Sequence, residues 1–167
     1  MANDRVWREC DYDEAWAPFN LRFAFRPDFH ERQTPAIELP CDALVLDLSP
    51  LLLPDGPSPH FAAGQASVNA SALRAFVWLT EGEMVTALDW QHPAYRYSPA
   101  QHALSDEDWA VPVFPDGDYF VHYAPGLTWG TFGHPWQMSL TLWGDALTAT
   151  LGAELLTWLP RHPHSQA

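Results

Sequence analysis

The side chains in this sequence that could do polar chemistry gather in two places. One is Ala87-Leu-Asp-Trp-Gln-His92. The other runs from Phe114-Pro-Asp-Gly-Asp-Tyr119 to Gly130-Thr-Phe-Gly-His-Pro-Trp136. Together they define a candidate pocket of Asp89, Trp90, His92, Asp116, Asp118, Tyr119, His134 and Trp136. Carboxylates and imidazoles are ordinary ligands of divalent ions, so Asp116, Asp118 and His134 are the metal candidates. Asp116-Gly-Asp118 places both carboxylates on the same side of an extended chain. The spacing matches no metal signature, however: there is no His-x-x-x-His and no His-Glu-x-x-His. Asp-Gly-Asp more often serves a turn, its carboxylates accepting from nearby backbone N–H groups.

His92-Pro93 and His134-Pro135 repeat one dipeptide, each near a tryptophan, Trp90 or Trp136. Two histidines beside a stacked ligand would make an acid and a base. The commoner outcome is that each imidazole caps a turn while the indole fills the core. Asp89 is the odd residue. An acid between Leu88 and Trp90 in a strand needs a partner if it is buried, and Arg96 and His92 are at hand. No Gly-x-Ser-x-Gly, phosphate loop or dinucleotide fingerprint is present. The chain has no lysine, which excludes Schiff-base chemistry and lysine-based phosphate cradles. No cofactor is expected.

These residues need elements to hold them. Asp11 and Glu14 have capping-box spacing for a helix presenting Ala15, Trp16 and Phe19, with Pro18 as a kink or a late start. Ala36 to Leu39 reads as a short strand. Asp42 to Leu48 is nearly all apolar, as in a central strand. A second helix runs from Ser71 to Glu81, and Gly64 weakens its extension back to Phe61. Met84 to Trp90 and Tyr95 to Tyr97 are strands, and Ser105 to Trp109 a helical turn. Asp118 to Tyr123 alternates Tyr119, Val121 and Tyr123 against Phe120 and His122. A Pro125-Gly126 turn joins it to Leu127–Phe132, and Trp136 to Trp143 follows. Asp145 caps a last helix from Ala146 to Leu159. Trp129 and Trp143 are candidates for an interface. Late strands joined by short turns must be antiparallel.

The chain is long enough for one domain, residues 1–167, and buries roughly two-thirds of its unfolded surface. Eight Lys+Arg against 21 Asp+Glu leave a net charge of −13. Such a surface repels phosphate backbones and anionic membranes, so neither nucleic acid nor membrane is an expected partner; a basic protein suits it better. Cys10 and Cys41 have no metal or redox spacing and read as free thiols of a reducing cytoplasm. No apolar run reaches the length of a membrane span.

The motifs Ala87–His92, Phe114–Tyr119 and Gly130–Trp136, with Trp16-Ala-Pro-Phe19 and Phe23-Ala-Phe25-Arg-Pro27 near the start, resemble an uncharacterised bacterial family, domain of unknown function 2716. The resemblance runs from about residue 12 to 156, leaving 160–167 as a loose tail. Gln137 stands where the family pattern leads one to expect an acid. The family implies no activity. A Gly-His-Pro-Trp turn in such a sheet is loosely similar to small bacterial proteins that neutralise toxins by binding them, an analogy of fold alone. The expected fold is α+β: a largely antiparallel or mixed sheet of five to seven strands, with about three helices on one face. The expected function is a non-catalytic, cytoplasmic, immunity-like protein whose acidic surface binds a basic partner. The alternative is a ligand-binding protein or metal-dependent enzyme with the Asp/His/Trp pocket.

Overall fold

The computed structural model describes residues 5–27, 35–52 and 59–163. Seven strands form one antiparallel sheet: β1 Trp7–Cys10, β2 Leu44–Asp47, β3 Val85–Asp89, β4 Ala94–Tyr97, β5 Phe120–Tyr123, β6 Gly130–His134 and β7 Ser139–Trp143. Their order across the sheet is β1-β4-β3-β5-β6-β7-β2. The fold is therefore α+β, and every pairing is antiparallel, as the short late turns require.

Helix α1, Tyr12–Phe23, starts at the expected cap, with Asp11 Oδ1 accepting from the Glu14 N–H at 2.9 Å. Pro18 does not stop it. That residue lies on the exposed side, where water can satisfy the carbonyl a turn earlier. Ala24, left-handed at φ 47°, ends the helix. Helix α2, Pro59–Thr80, reaches well back of Ser71. Gly64 is a contact rather than a weak point: an added Cβ would lie 2.8 Å from Leu51 Cδ2. Helix α3, Pro99–Leu104, precedes the predicted turn at 105–109. Its start is written in Ser98-Pro99, a cap followed by the one residue that loses nothing at the first helical position. Helix α4 comprises Asp145–Leu147, a π-helical stretch Thr148–Gly152, and Ala153–Leu155, with Gly144 rather than Asp145 at its N-cap.

Both faces of the sheet are covered, not one. Trp16, Phe19 and Phe23 of α1 pack with Leu88, Val121, Phe132 and Trp143. On the opposite face, Val68 and Phe76 of α2 and Leu147 and Leu151 of α4 pack with Val85, Ala87, Leu140 and Leu142. The alternation of β5 makes this possible, since Val121 and Phe120 enter different cores. Trp129 and Trp143, expected at an interface, are both buried. Trp129 stacks on Phe76 at 5.0 Å, and Trp143 meets Phe23 at 4.6 Å.

The apolar strand β2 sits at an edge, not in the centre. Its faces are buried, and its outer backbone is taken by the end of the chain. Asp47 N–H donates to Pro160 O at 2.9 Å, and His162 N–H to Val45 O at 2.8 Å. Residues 160–162 are thus tied down rather than loose; 164–167 lie outside the described residues, as do 53–58. Ala36 to Leu39 is not a strand. It is held to the end of α1 by Arg26 N–H to Ala36 O and Glu38 N–H to Phe23 O, both 2.7 Å.

Candidate functional site

Strand β3 delivers Asp89 to the end of the sheet, opposite Phe120 of β5. One step further, Trp90 N–H donates to Tyr119 O at 3.2 Å, which keeps the two chains in register beyond the ladder. Residue 118 then falls beside the β3–β4 turn. That turn is tight: His92 N–H donates to Asp89 O at 3.2 Å, and Gln91 is left-handed at φ 66°. The imidazole of His92 is folded back over Asp89. His92 Nδ1 lies 2.9 Å from Asp89 Oδ1 and 3.7 Å from Asp118 Oδ2. Asp89 is the partnered acid that the sequence demanded, and its partner is His92 rather than Arg96.

Ligand-type atoms of Asp89, His92 and Asp118, one from each residue, all lie within 4.8 Å of one another. The two carboxylates are mostly covered, at 18% and 19% side-chain exposure, while His92 is 60% exposed. Burial pushes the Asp89 carboxyl above its ordinary value, against the opposing pull of the His92 hydrogen bond. Burial likewise raises Asp118, opposed by the Tyr119 N–H that its Oδ1 accepts at 2.7 Å. The hydrogen bond to Asp89 raises His92. Two covered carboxylates and an imidazole drawn toward its cationic form make a place where positive charge is welcome.

The other candidates go elsewhere. Asp116, on the exposed side of the Gly117 turn, accepts from Gln65 Nε2 of α2 at 2.9 Å. His134 is buried on the α1 face, and its Nδ1 accepts from Gln137 N–H at 3.0 Å, so it caps the β6–β7 turn. Asp116, Asp118 and His134 are therefore not one ligand set; Asp118 alone of the three joins the cluster. The two tryptophans do converge. Trp90 and Trp136 meet the fully buried Tyr119 edge to face, at 5.6 and 5.0 Å. Their neighbouring histidines part company, one exposed and one in the core.

Two further residues position the cluster and carry no motif in the sequence. Asn69 Oδ1 accepts from both Val113 N–H (3.0 Å) and Phe114 N–H (2.9 Å), clamping to α2 the loop that leads to Asp118. Tyr12 Oη accepts from Gln91 N–H at 3.3 Å, bracing the β3–β4 turn from α1. The only available signal was the i, i+4 spacing of Gln65 and Asn69, which puts both on one helical face.

A second polar group lies deep in the α2-side core. His122 Nε2 is 3.2 Å from Pro112 O and Nδ1 is 3.0 Å from Tyr97 Oη. A carbonyl only accepts, so Nε2 carries the proton and Nδ1 accepts from the tyrosine. Tyr97 stacks on Trp7 at 3.9 Å, and Trp7 Nε1 donates to His102 Nδ1 at 3.2 Å. Burial pushes His122 down to about 4 and Tyr97 well up. This is a satisfied scaffold, closed to solvent.

Among the described residues no helix is long and apolar enough to cross a membrane. A sequence model of the family described as "Protein of unknown function (DUF2716)" matches residues 7–148. The chain is also similar to a Bacillus subtilis (strain 168) protein named "Uncharacterized protein YxiI". The two are 31% identical over 150 residues, 88% of this chain and 91% of that protein. No solved structure matches the chain.

Proposed function

The chain belongs to the DUF2716 family of proteins of unknown function, and from its own geometry we propose that it is a binding protein that takes a divalent cation at Asp89, His92 and Asp118. The observation that carries this reading is the convergence of the three ligand-type atoms within 4.8 Å, from a strand end, a tight turn and a clamped loop. Nitrogen and carboxylate oxygen together suit zinc or manganese. Three protein ligands leave a coordination position for water or a further ligand. A bound ion would offset the burial of both carboxylates and compete with the proton that Asp89 holds on His92.

The test is calorimetric titration of the full chain with zinc and with manganese. Asp118→Asn and Asp89→Asn should each weaken binding at least tenfold. Because His92 must lose its proton to ligate, affinity should be roughly tenfold weaker at pH 6 than at pH 8, with proton release on binding. Unchanged affinity in both variants, or binding indifferent to pH, would sink the proposal.

The net charge of −13 without a lysine favours a second reading, a basic protein as the partner. Association with basic proteins that weakens from low to physiological salt is the expected behaviour. Indifference to every basic partner at low salt would count against it.

A further inference from the structure

One face of α1 lines a cavity that the cation cluster does not use. Tyr12, Trp16 and Asn20 follow one another at i, i+4 and i+8, with Asp13 alongside. The left-handed Ala24 turns the chain back so that Phe25 stacks on Trp16, centroids 5.1 Å apart and planes 18° from parallel. Tyr12 leans against the same indole at 5.9 Å. Trp90 closes the far wall, its turn tethered by the bond from Gln91 N–H to Tyr12 Oη. The space is an open groove of about 340 Å³.

We propose that this cavity receives the guanidinium of an arginine on a basic protein partner. The proposal rests on the basic-partner reading and gives it an address. Tyr12, Phe25 and Trp90 keep exposed aromatic surface on which a planar cation stacks, and the buried Trp16 backs Phe25. Asp13 supplies the counter-charge, and the side-chain carbonyl of Asn20 a further acceptor for the guanidinium fork. Among the described residues that line it, none is cationic, so nothing there would favour an anion. The apolar walls offer too few hard donors for a metal ion. The surroundings point the same way: Asp11 at the N-cap and Glu14 in the first turn of α1 accompany Asp13 at the end of the helix next to the cavity.

The experiment uses the full chain and two small probes, L-arginine amide and its neutral near-isostere L-citrulline amide. Indole N–H resonances are followed by two-dimensional NMR. Arginine amide should shift the Trp90 and Trp16 signals saturably, and citrulline amide should bind about tenfold more weakly. Asp13→Asn, an exposed helix position, should weaken arginine amide several-fold without changing the thermal midpoint. Asp118→Asn should leave it unaffected, separating this cavity from the metal cluster. Absence of a saturable shift, equal binding of both probes, or an unchanged affinity in Asp13→Asn would each overturn the proposal. Salt-sensitive binding to a basic protein could survive any of these, and would then be located elsewhere on the surface.

Discussion

Asp89 and His134 illustrate how alike two polar residues can look in a sequence and how differently they are used. Both lie within two residues of a tryptophan, Asp89 just before one His-Pro element and His134 within the other. Asp89 reaches a half-open cluster with His92 and Asp118, while His134 points into the α1-side core and caps a turn. Alternation along β6 decides this, because His134 shares its face with Phe132. His122 yields a testable consequence at the same scale. Its pKa is lowered from 6.5 to about 4 by burial. The unfolded chain therefore binds a proton in this interval that the folded chain refuses. The corresponding stability is fully present above pH 6.5 and is lost as pH falls toward 4. The loss amounts to about 3 kcal/mol. Urea midpoints at pH 7 and pH 4.5 measure it, and His122→Gln, which removes the titration, should flatten that part of the slope. Asp89 and Asp118 act with the opposite sign, since their raised folded values favour the fold on the acid side.

At the scale of elements, α2 steadies the cluster that the β3–β5 pairing brings together. Its core face packs Val68, Ala72 and Phe76 against the sheet. Its Asn69 then satisfies two consecutive backbone N–H groups of the loop before Asp118. Asn69→Ala should cost about 2 kcal/mol in chemical denaturation, since two part-buried donors lose their acceptor. The same variant should weaken zinc binding although Asn69 touches no ligand atom; full zinc affinity would refute the positioning role. Elements whose signals are local were legible in the sequence: the Asp11 cap, the alternation of β5 and the antiparallel late strands. Helix α3 is announced only by the Ser98-Pro99 cap, a weaker local signal than the acidic segment at 105–109 that follows it. Gly64 speaks locally against the N-terminal half of α2, and its reason lies in Leu51, a residue on another element.

The molecule as a whole closes one edge of its sheet with its own chain. The outer side of β2 is closed by Pro160 and His162, and residues 160–162 therefore belong to the fold. A chain ending at Leu159 should lose about 1–2 kcal/mol and expose a pairing edge. Light scattering against concentration should show self-association that the full chain lacks; a monodisperse, equally stable truncation would refute this. From the sequence alone came the class of fold, the family resemblance, the exclusion of lysine chemistry and the acidity that bears on partners. The resemblance rests on specific motifs kept in order along the chain, and the others depend on composition or on short-range periodicity. Which acids meet, which tryptophans are buried and which strand forms an edge were decided only in three dimensions. Those outcomes depend on pairing between segments far apart in the chain: Asp89 meets Asp118 because β3 pairs with β5, and Trp143 is buried because α1 covers the second face of the sheet.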